Sequence, residues 1–158
     1  MAITAPKGTK DILPAESAVW IELEKIIRQI CSYYGYEEIR TPIFEKTELY
    51  VRGVGNDTDI VQKEMYTFTH RDRESFSLKP EGTAGVVRAY IENKLYSLPQ
   101  PVKMYYLTPC FRAERPQKGR YRQFHQFGIE AMGTKSPCFD AEVMALADSL
   151  FKTLNIKD

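Results

Sequence analysis

The stretch from Val102 to Met132, VKMYYLTPCFRAERPQKGRYRQFHQFGIEAM, decides the fold because it predicts a long β-hairpin. Its first part is rich in tyrosine and β-branched residues and predicts a strand that ends near Arg112. The alternating residues from Phe124 onward predict the antiparallel partner of that strand. The connection between the two strands, with Gly119 at its tip, exceeds the usual hairpin length, and such loops are often functional.

This loop concentrates positive charge in a chain that is otherwise nearly neutral. Five of the eleven residues from 112 to 122 are Arg or Lys, whereas the whole chain of 158 residues has a net charge of +1. Tyr121, Phe124 and His125 are interleaved with this charge, and aromatic rings beside arginine suit base stacking and phosphate contact. A solvated polar turn is the alternative interpretation. The overall charge excludes a general polyanion binder, so any nucleic-acid contact must be local.

The outgoing strand combines an apolar face with a polar face, since side chains alternate along a strand. The odd positions predict a face buried in the core, which is formed by His125, Phe127, Ile129 and Ala131. On the other face, Gln126 and Glu130 flank Gly128, where we expect space for a ligand to approach the backbone. A carboxylate there would attract an amino group, and Gln126 can both donate and accept. A polar face turned toward solvent is the alternative.

A second polar cluster, in the segment KPEGTAG, lies where a strand gives way to a helix. Glu81 and Thr83 would line the same small acidic site, although a first-turn acid and a weak helix cap are the alternative roles. Arg112 offers a rigid fork for phosphate, with a simple ion pair to Glu114 as the alternative. A site for a cation beside a site for a phosphate suggests amino-acid activation by a nucleotide.

The remaining chain predicts an α+β fold with a mainly antiparallel sheet flanked by helices. Apolar spacing predicts helices over 17–34, 80–95 and 136–154, and Gly35 is placed to end the first. The segment 36–44 is predicted to be extended, and 65–70 pairs with 74–80 in a hairpin. Residues four apart mark the second helix, namely Val87, Ile91 and Leu95. One face of the last helix is predicted to be apolar through Val143, Ala147, Leu150, Phe151 and Leu154.

Several classes of protein are excluded by what the sequence lacks. Three widely spaced cysteines argue against a disulfide framework and favour a reducing compartment. No segment resembles a secretory signal or approaches the roughly 20 apolar residues of a membrane helix. Neither histidine has a partner at metal-ligand spacing, so no metal site is predicted. The common phosphate-binding loops, GxxxxGK[ST] and GxGxxG, are also absent.

Five blocks of the sequence closely resemble the bacterial-type histidyl-tRNA synthetase family. They are GTKDILP, GYEEIRTPIFEKTELY, TDIVQKEMYTF, LKPEGTAGVVRAY and FRAERPQKGRYRQFHQFGIEAMG. The resemblance covers nearly the whole chain and implies a class II synthetase-like catalytic domain, with motif 1 near 36–50 and motif 2 near 103–133. Motif 1 lies at a homodimer interface in that family, so the resemblance implies a homodimer. It also implies a cytoplasmic ligase that activates L-histidine with ATP and transfers it to tRNA(His).

The resemblance implies a role for individual residues of motif 2 in binding ATP, which the family uses with Mg²⁺. Arg112 is similar to the arginine that binds the α-phosphate, where it would stabilise charge as the histidine carboxylate attacks. Glu114 resembles the acidic residue on the adenine side, and Phe124 resembles the ring stacked on adenine. Positioning and electrostatics would do most of the work of this step.

Histidine and tRNA contacts are implied in the same way. The positions that match the histidine-binding residues of the family are Glu81, Thr83, Arg112, Gln126 and Glu130. The positions that match the loop facing the tRNA acceptor stem are Arg115, Gln117 and Arg120.

The chain ends before several segments that the resemblance leads us to expect. Motif 3, the second histidine-binding segment and the anticodon-binding domain have no counterpart between residues 1 and 158. We therefore expect an incomplete, N-terminal part of the catalytic domain that is inactive alone. Its exposed sheet surfaces favour dimerisation or marginal stability.

Two further interpretations compete with the enzyme. One is a histidine-sensing regulatory paralogue, of the kind that serves as the regulatory subunit of ATP phosphoribosyltransferase. The other is a non-catalytic synthetase-like domain. The basic loop argues against the regulator, because a regulator needs no contact with an acceptor stem.

Overall fold

A computed structural model describes residues 2–54, 64–71 and 73–156. The described helices are α1 (Pro14–Tyr33), α2 (Thr47–Val54), α3 (Thr83–Glu92) and α4 (Pro137–Thr153). The described strands are β1 (Glu37–Glu38), β2 (Phe44–Lys46), β3 (Thr67–Thr69), β4 (Ser75–Leu78), β5 (Val102–Phe111) and β6 (Gln123–Met132). A short 3-10 helix spans Leu95–Ser97. The predicted α+β class is confirmed.

The strands form two three-stranded sheets rather than one. The larger sheet has the order β1-β5-β6, and the smaller sheet has the order β2-β4-β3. Strands β5 and β6 pair antiparallel along their whole length, from Val102 opposite Met132 to Phe111 opposite Gln123, which confirms the predicted hairpin. The pair of β1 with β5 is parallel, so the larger sheet is mixed.

The smaller sheet confirms the second predicted hairpin and adds a strand to it. Strands β3 and β4 pair antiparallel, and β2 pairs with the other edge of β4. Most of the block TDIVQKEMYTF and one residue at the hairpin turn, Asp72, lie outside the described residues.

Helices α1 and α4 cover one face of the larger sheet and enclose the main core. The buried members of this core are Ile27, Ile30, Cys31, Tyr36, Tyr105, Leu146 and Leu150. From β6, Phe127, Ile129 and Ala131 pack against it, as the alternation predicted. His125 remains exposed, although its ring contacts that of Trp20.

The ends of α1 follow from single residues. The helix starts at Pro14, three residues before the predicted start, because proline fits the first turn of a helix. Gly35 has a φ of +73° after the last turn. Its amide donates to the carbonyl of Ser32, and the amide of Tyr36 donates to that of Cys31, which completes a Schellman motif. Gly35 therefore ends the helix as predicted.

The buried face of α3 differs from the residues that marked this helix in the sequence, whereas the predicted face of α4 is largely confirmed. In α3 the residues Val87 and Ile91 are exposed, whereas Gly85, Val86 and Ala89 are buried. In α4 the predicted Leu150 is buried, and Val143 and Leu154 pack against the core, but Phe151 is exposed and Leu146 is buried in its place. Spacing of four therefore identified both helices, but it did not identify the stripe of α3 that meets the sheet. Among the described helices, none combines the length and apolarity needed to cross a bilayer.

The ring of Tyr106 on β5 is enclosed by two glycines. Tyr106 lies directly opposite Gly128 on β6, and Gly82 precedes α3 on its other side. A Cβ atom at either glycine would overlap ring atoms of Tyr106. The expectation that Gly128 leaves space for a ligand is therefore wrong, because the cross-strand tyrosine fills that space.

We predict that Gly128→Ala destabilises the chain by about 1–3 kcal/mol, the usual cost of overpacking. Thermal unfolding measures this effect. In a Tyr106→Leu background, the same substitution should cost much less, because the overlapping ring atoms are gone. Equal costs in both backgrounds would contradict the enclosed position of Tyr106.

Candidate active site

The hairpin and α3 bring together four of the polar residues singled out in the sequence. Glu81 and Thr83 lie at the start of α3, and Gln126 and Glu130 project from the facing side of β6. The amide of Gly82 donates to Oε1 of Gln126 over 2.9 Å, which joins the helix to the strand. The hydroxyl groups of Thr83 and Tyr106 are 3.5 Å apart. Thr83, Glu81 and Glu130 thus lie near the hydroxyl end of Tyr106, and Gln126 is joined to the same helix start through Gly82.

Glu81 caps α3 through its carboxylate. Its Oε2 accepts from the amide of Thr83 over 2.6 Å, and its Oε1 accepts from the amide of Ala84 over 2.9 Å. These amides have no partner within the helix, and the positive end of the helix dipole favours a carboxylate there. From the sequence, Glu81 was considered as a first-turn acid and Thr83 as the weak cap, whereas in the structure Glu81 precedes the helix and caps it. Thr83 is not the cap, since its hydroxyl points toward Tyr106.

Among the carboxyl groups of the cluster, Glu130 is the one whose negative charge is least favourable. Burial is the main reason that the pKa of Glu130 lies above its usual value, and the negative charge of Glu81 adds to the effect. A hydrogen bond from Thr83 opposes the shift in part. A positively charged group placed between Glu81 and Glu130 would relieve the repulsion of both carboxylates.

The amide group of Gln126 has a defined orientation. Its oxygen accepts from the backbone amide of Gly82, and the thiol of Cys110 lies 3.6 Å from the same oxygen. Burial raises the pKa of Cys110 to about 11, so the thiol keeps its proton and can donate. The amide nitrogen of Gln126 is therefore the atom left to donate to a ligand.

Arg112 is held at the end of β5 by three contacts. Its Nε donates to the carbonyl of Pro80 over 3.0 Å, and its guanidinium carbon lies 5.1 Å from the ring centroid of Phe124. Its Nη1 is 3.8 Å from Oε1 of Glu114, a loose ion pair. Only Nε and Nη1 take part in these polar contacts, so Nη2 can donate to an anion.

Glu114 is buried beneath the loop, with 7% of its surface exposed. Arg120 reaches back and contacts its carboxylate, so two arginines neutralise it. The ion pair considered for Glu114 is confirmed, but Arg120 is its nearer partner. Within the loop, Gln117 and Arg120 form an isolated β-bridge across a turn in which Gly119 has a φ of +79°.

The remaining charges of the loop are open to solvent. Arg115 and Lys118 are exposed and form no ion pair with any described residue. Gln117 is also exposed. The structure thus separates the ion pair of the buried Glu114 with the exposed Arg120 from two exposed cations, Arg115 and Lys118, which have no ion-pair partner among the described residues and can meet a polyanion.

The N-terminal segment supports the loop, which the sequence reasoning did not predict. The carbonyl of Gly8 accepts from the amide of Arg122 over 2.7 Å, and the carbonyl of Lys7 accepts from its guanidinium over 3.3 Å. Gly8 has a φ of +90°, and a side chain there would overlap Arg122 and Pro116. The sequence signal for this contact was the glycine that opens the block GTKDILP.

Lys79 is a second residue that the sequence reasoning missed. Only 1% of its surface is exposed, and its ammonium group donates to the carbonyl of Thr41 over 3.3 Å. Burial lowers the pKa of Lys79. Continuing the alternation of β4 by one residue places Lys79 on the same face as the fully buried Ser77, and this pattern could have identified it.

Comparisons with known proteins identify the family of this chain. A family model described as histidyl-tRNA synthetase matches residues 8–158, which identifies the class of protein as an aminoacyl-tRNA synthetase. More narrowly, the chain belongs to the histidyl-tRNA synthetase family.

Relatives and solved structures support this assignment. The chain is 60% identical to proteins named histidine–tRNA ligase from Desulforamulus reducens and from Clostridioides difficile, over its full length in both cases. It spans 38% of the length of each of these curated relatives. A crystal structure of apo histidyl-tRNA synthetase from S. aureus matches 96% of this chain and 35% of its own, with 44% identity and a TM-score of 0.82.

A more distant solved structure has the same fold. It is described as an ATP phosphoribosyltransferase regulatory subunit/histidyl-tRNA synthetase from Bacillus halodurans. Its TM-score is 0.84 at 23% identity, and the match covers 100% of this chain and 40% of that one.

We predict that Glu130→Gln raises the thermal stability of the chain at pH 7. The folded protein binds more protons than the unfolded chain between the usual glutamate pKa of 4.5 and the raised pKa of Glu130. Stability attributable to this group is therefore lost as pH rises through that window, and glutamine removes the loss. Glu37→Gln, at an exposed position on β1, is the matched control. Lower stability of Glu130→Gln at pH 7 would contradict the account.

Proposed function

We propose that this chain carries part of the active site of a histidine–tRNA ligase. The reaction joins histidine to ATP as histidyl-adenylate and then transfers histidine to tRNA(His). The convergence of Glu81, Thr83, Gln126 and Glu130 beside Arg112 carries the proposal, together with the names of the relatives. We assign residues 1–158 to the N-terminal part of a class II catalytic domain, with motif 1 near 36–50 and motif 2 near 103–133.

Histidine would enter the acidic cluster with its amino group first. The neighbouring charges of Glu81 and Glu130 favour a cation, and the hydroxyl of Thr83 donates a hydrogen bond to Glu130. The amide nitrogen of Gln126 would donate to the substrate, because its own oxygen is occupied by Gly82. The cluster as a whole would recognise the amino group and the imidazole of histidine, and the imidazole is the group that proline lacks.

ATP would lie against Arg112, with the ring of Phe124 beneath the adenine and Glu114 on the adenine side. A carboxylate oxygen of histidine would attack the α-phosphorus, and pyrophosphate would leave. Arg112 would then stabilise the negative charge on the α-phosphate oxygens as a catalytic residue. Its contacts with Pro80 and Phe124 hold the guanidinium in place before ATP binds.

Mg²⁺ would be bound together with the phosphates of ATP. Within residues 2–54, 64–71 and 73–156, no group of three or more His, Cys, Asp or Glu side chains is arranged to hold a metal ion. Magnesium in nucleotide sites commonly takes one or two carboxylates and completes its shell with phosphates and water. The proposal therefore assigns it to the nucleotide and gives no residue of this chain as a dedicated metal ligand.

The loop would meet the acceptor stem of tRNA(His) through Arg115, Gln117 and Arg120. In the second step, a hydroxyl of the terminal ribose attacks the histidyl carbonyl and AMP leaves. Arg120 is already paired with Glu114, so it would contribute less to phosphate affinity than Arg115, which forms no ion pair with a described residue. We further propose that the complete protein is a cytoplasmic homodimer, and the three free cysteines agree with a reducing compartment.

The regulatory alternative is less well supported by the same loop. A histidine sensor could use the acidic cluster, and the fold is shared with the structure from Bacillus halodurans. A histidine sensor has no use for exposed cations beside the site, such as Arg115 and Lys118. The relatives that share 60% identity are named as ligases.

We predict that a non-hydrolysable histidyl-adenylate analogue raises the melting temperature of this chain, whereas the prolyl-adenylate analogue does not. At a ligand concentration of 100 Kd the stabilisation would be about 2.7 kcal/mol. Glu130→Gln should abolish the rise, and Glu37→Gln should leave it intact. Equal shifts with both analogues would contradict recognition of histidine by this cluster.

We also predict that the chain alone does not attach histidine to tRNA(His), because it spans only 38% of its relatives' length. The measurement is the formation of labelled histidyl-tRNA by the purified chain. A complete relative serves as the positive control. Charging above background that depends on this chain would overturn the expectation.

A further inference from the structure

A pocket of about 340 Å³ lies beside the basic loop and outside the acidic cluster. It opens between the N-terminal segment, the first turns of α1 and the start of β6. We call it the aromatic pocket, and its lining includes Lys10, Trp20, Tyr121, Gln123, Phe124 and His125. Its volume falls within the range of small-ligand sites.

The rings of Trp20, Tyr121 and His125 make the walls of this pocket suitable for a flat, unsaturated ring. The rings of Trp20 and His125 are 4.7 Å apart with an angle of 52° between their planes. Tyr121 is 45% exposed although it lies beside these apolar rings. Stacking of a nucleobase on such rings tolerates any base, because every base has a π-face.

Polar groups at the edge of the pocket suit a nucleobase better than a purely apolar ligand. The amide of Gln123 can donate to and accept from a base edge. Lys10 pairs with Glu16 over 2.9 Å at the rim, which keeps a lysine beside the opening. An apolar segment of another protein would leave these polar groups without partners.

The charge next to the pocket favours a polyanion as the source of the base. Tyr121 belongs both to the pocket and to the loop that carries Arg115 and Lys118, which form no ion pair with any residue the structure describes. Arg122, the next residue, donates hydrogen bonds to carbonyl groups of the N-terminal segment. A strand of RNA could therefore place phosphates on the loop and a neighbouring base in the pocket.

We infer that the aromatic pocket binds one unpaired nucleobase of the RNA whose backbone lies along the loop 112–122. The inference rests on the proposed function, in which this loop faces the end of an RNA. The surface that recognises this RNA would then include Trp20, Tyr121 and His125. None of these three residues belongs to the acidic cluster.

The emission of Trp20, the single tryptophan of the chain, reports directly on the pocket. The titrants are an RNA hairpin with a 3′ single-stranded overhang, the same hairpin with a blunt end, and ATP. The overhang should quench Trp20 saturably, whereas the blunt hairpin and ATP should not. Tyr121→Leu should weaken binding of the overhang about tenfold, the expected loss of one stacked base. Tyr33→Leu, at an exposed tyrosine at the other end of α1, is the matched control and should change nothing.

Four results would overturn the inference. They are equal quenching by both hairpins, quenching by ATP alone, no effect of Tyr121→Leu, and emission that depends on protein concentration, which would indicate a second copy in the pocket. The histidyl-adenylate analogue is tested on the same preparation. If the analogue still raises the melting temperature while the RNA test fails, only the inference about the aromatic pocket is wrong. If the analogue has no effect either, the proposed function fails as well.

Discussion

The ring of Tyr106 between Gly82 and Gly128 is the contact on which the rest of the site depends. It fixes the register of β6 against β5, since a shift of one residue would place a side chain against the ring. It also sets how closely the start of α3 approaches the sheet. The pKa of Tyr106 is raised to about 12, chiefly by burial, so its hydroxyl keeps its proton beside Thr83.

This constraint explains how the acidic cluster is held together at the junction between the start of α3 and strand β6. Gly82 approaches the sheet closely enough for its amide to bind Gln126, and the next residues of α3 are capped by Glu81. Glu130 is then half-buried near a second carboxylate, an arrangement that costs stability in the absence of a cation. Unfavourable electrostatics of this kind are common at functional sites, where a ligand supplies the missing charge.

The sequence predicted local features well and contacts between elements less well. The hairpin 102–132, the core face of β6 and the stop at Gly35 follow from alternation and glycine chemistry, which act over a few residues. The stripe of α3 that meets the sheet and the ring over Gly128 depend on partners far away in the chain. The support of the loop by Gly8 also depends on a partner far away in the chain, and local patterns did not predict it. The residues of the acidic cluster, in contrast, were singled out from the sequence.

The most direct test of the central contact is an NMR measurement on the Hα protons of Gly128. A ring packed over them should shift these resonances upfield and give nuclear Overhauser effects to the ring protons of Tyr106. The account predicts both signals in the chain without ligand. Hα shifts typical of an open strand, with no such effects, would mean that the space over Gly128 is free for a ligand and that the site is built in another way.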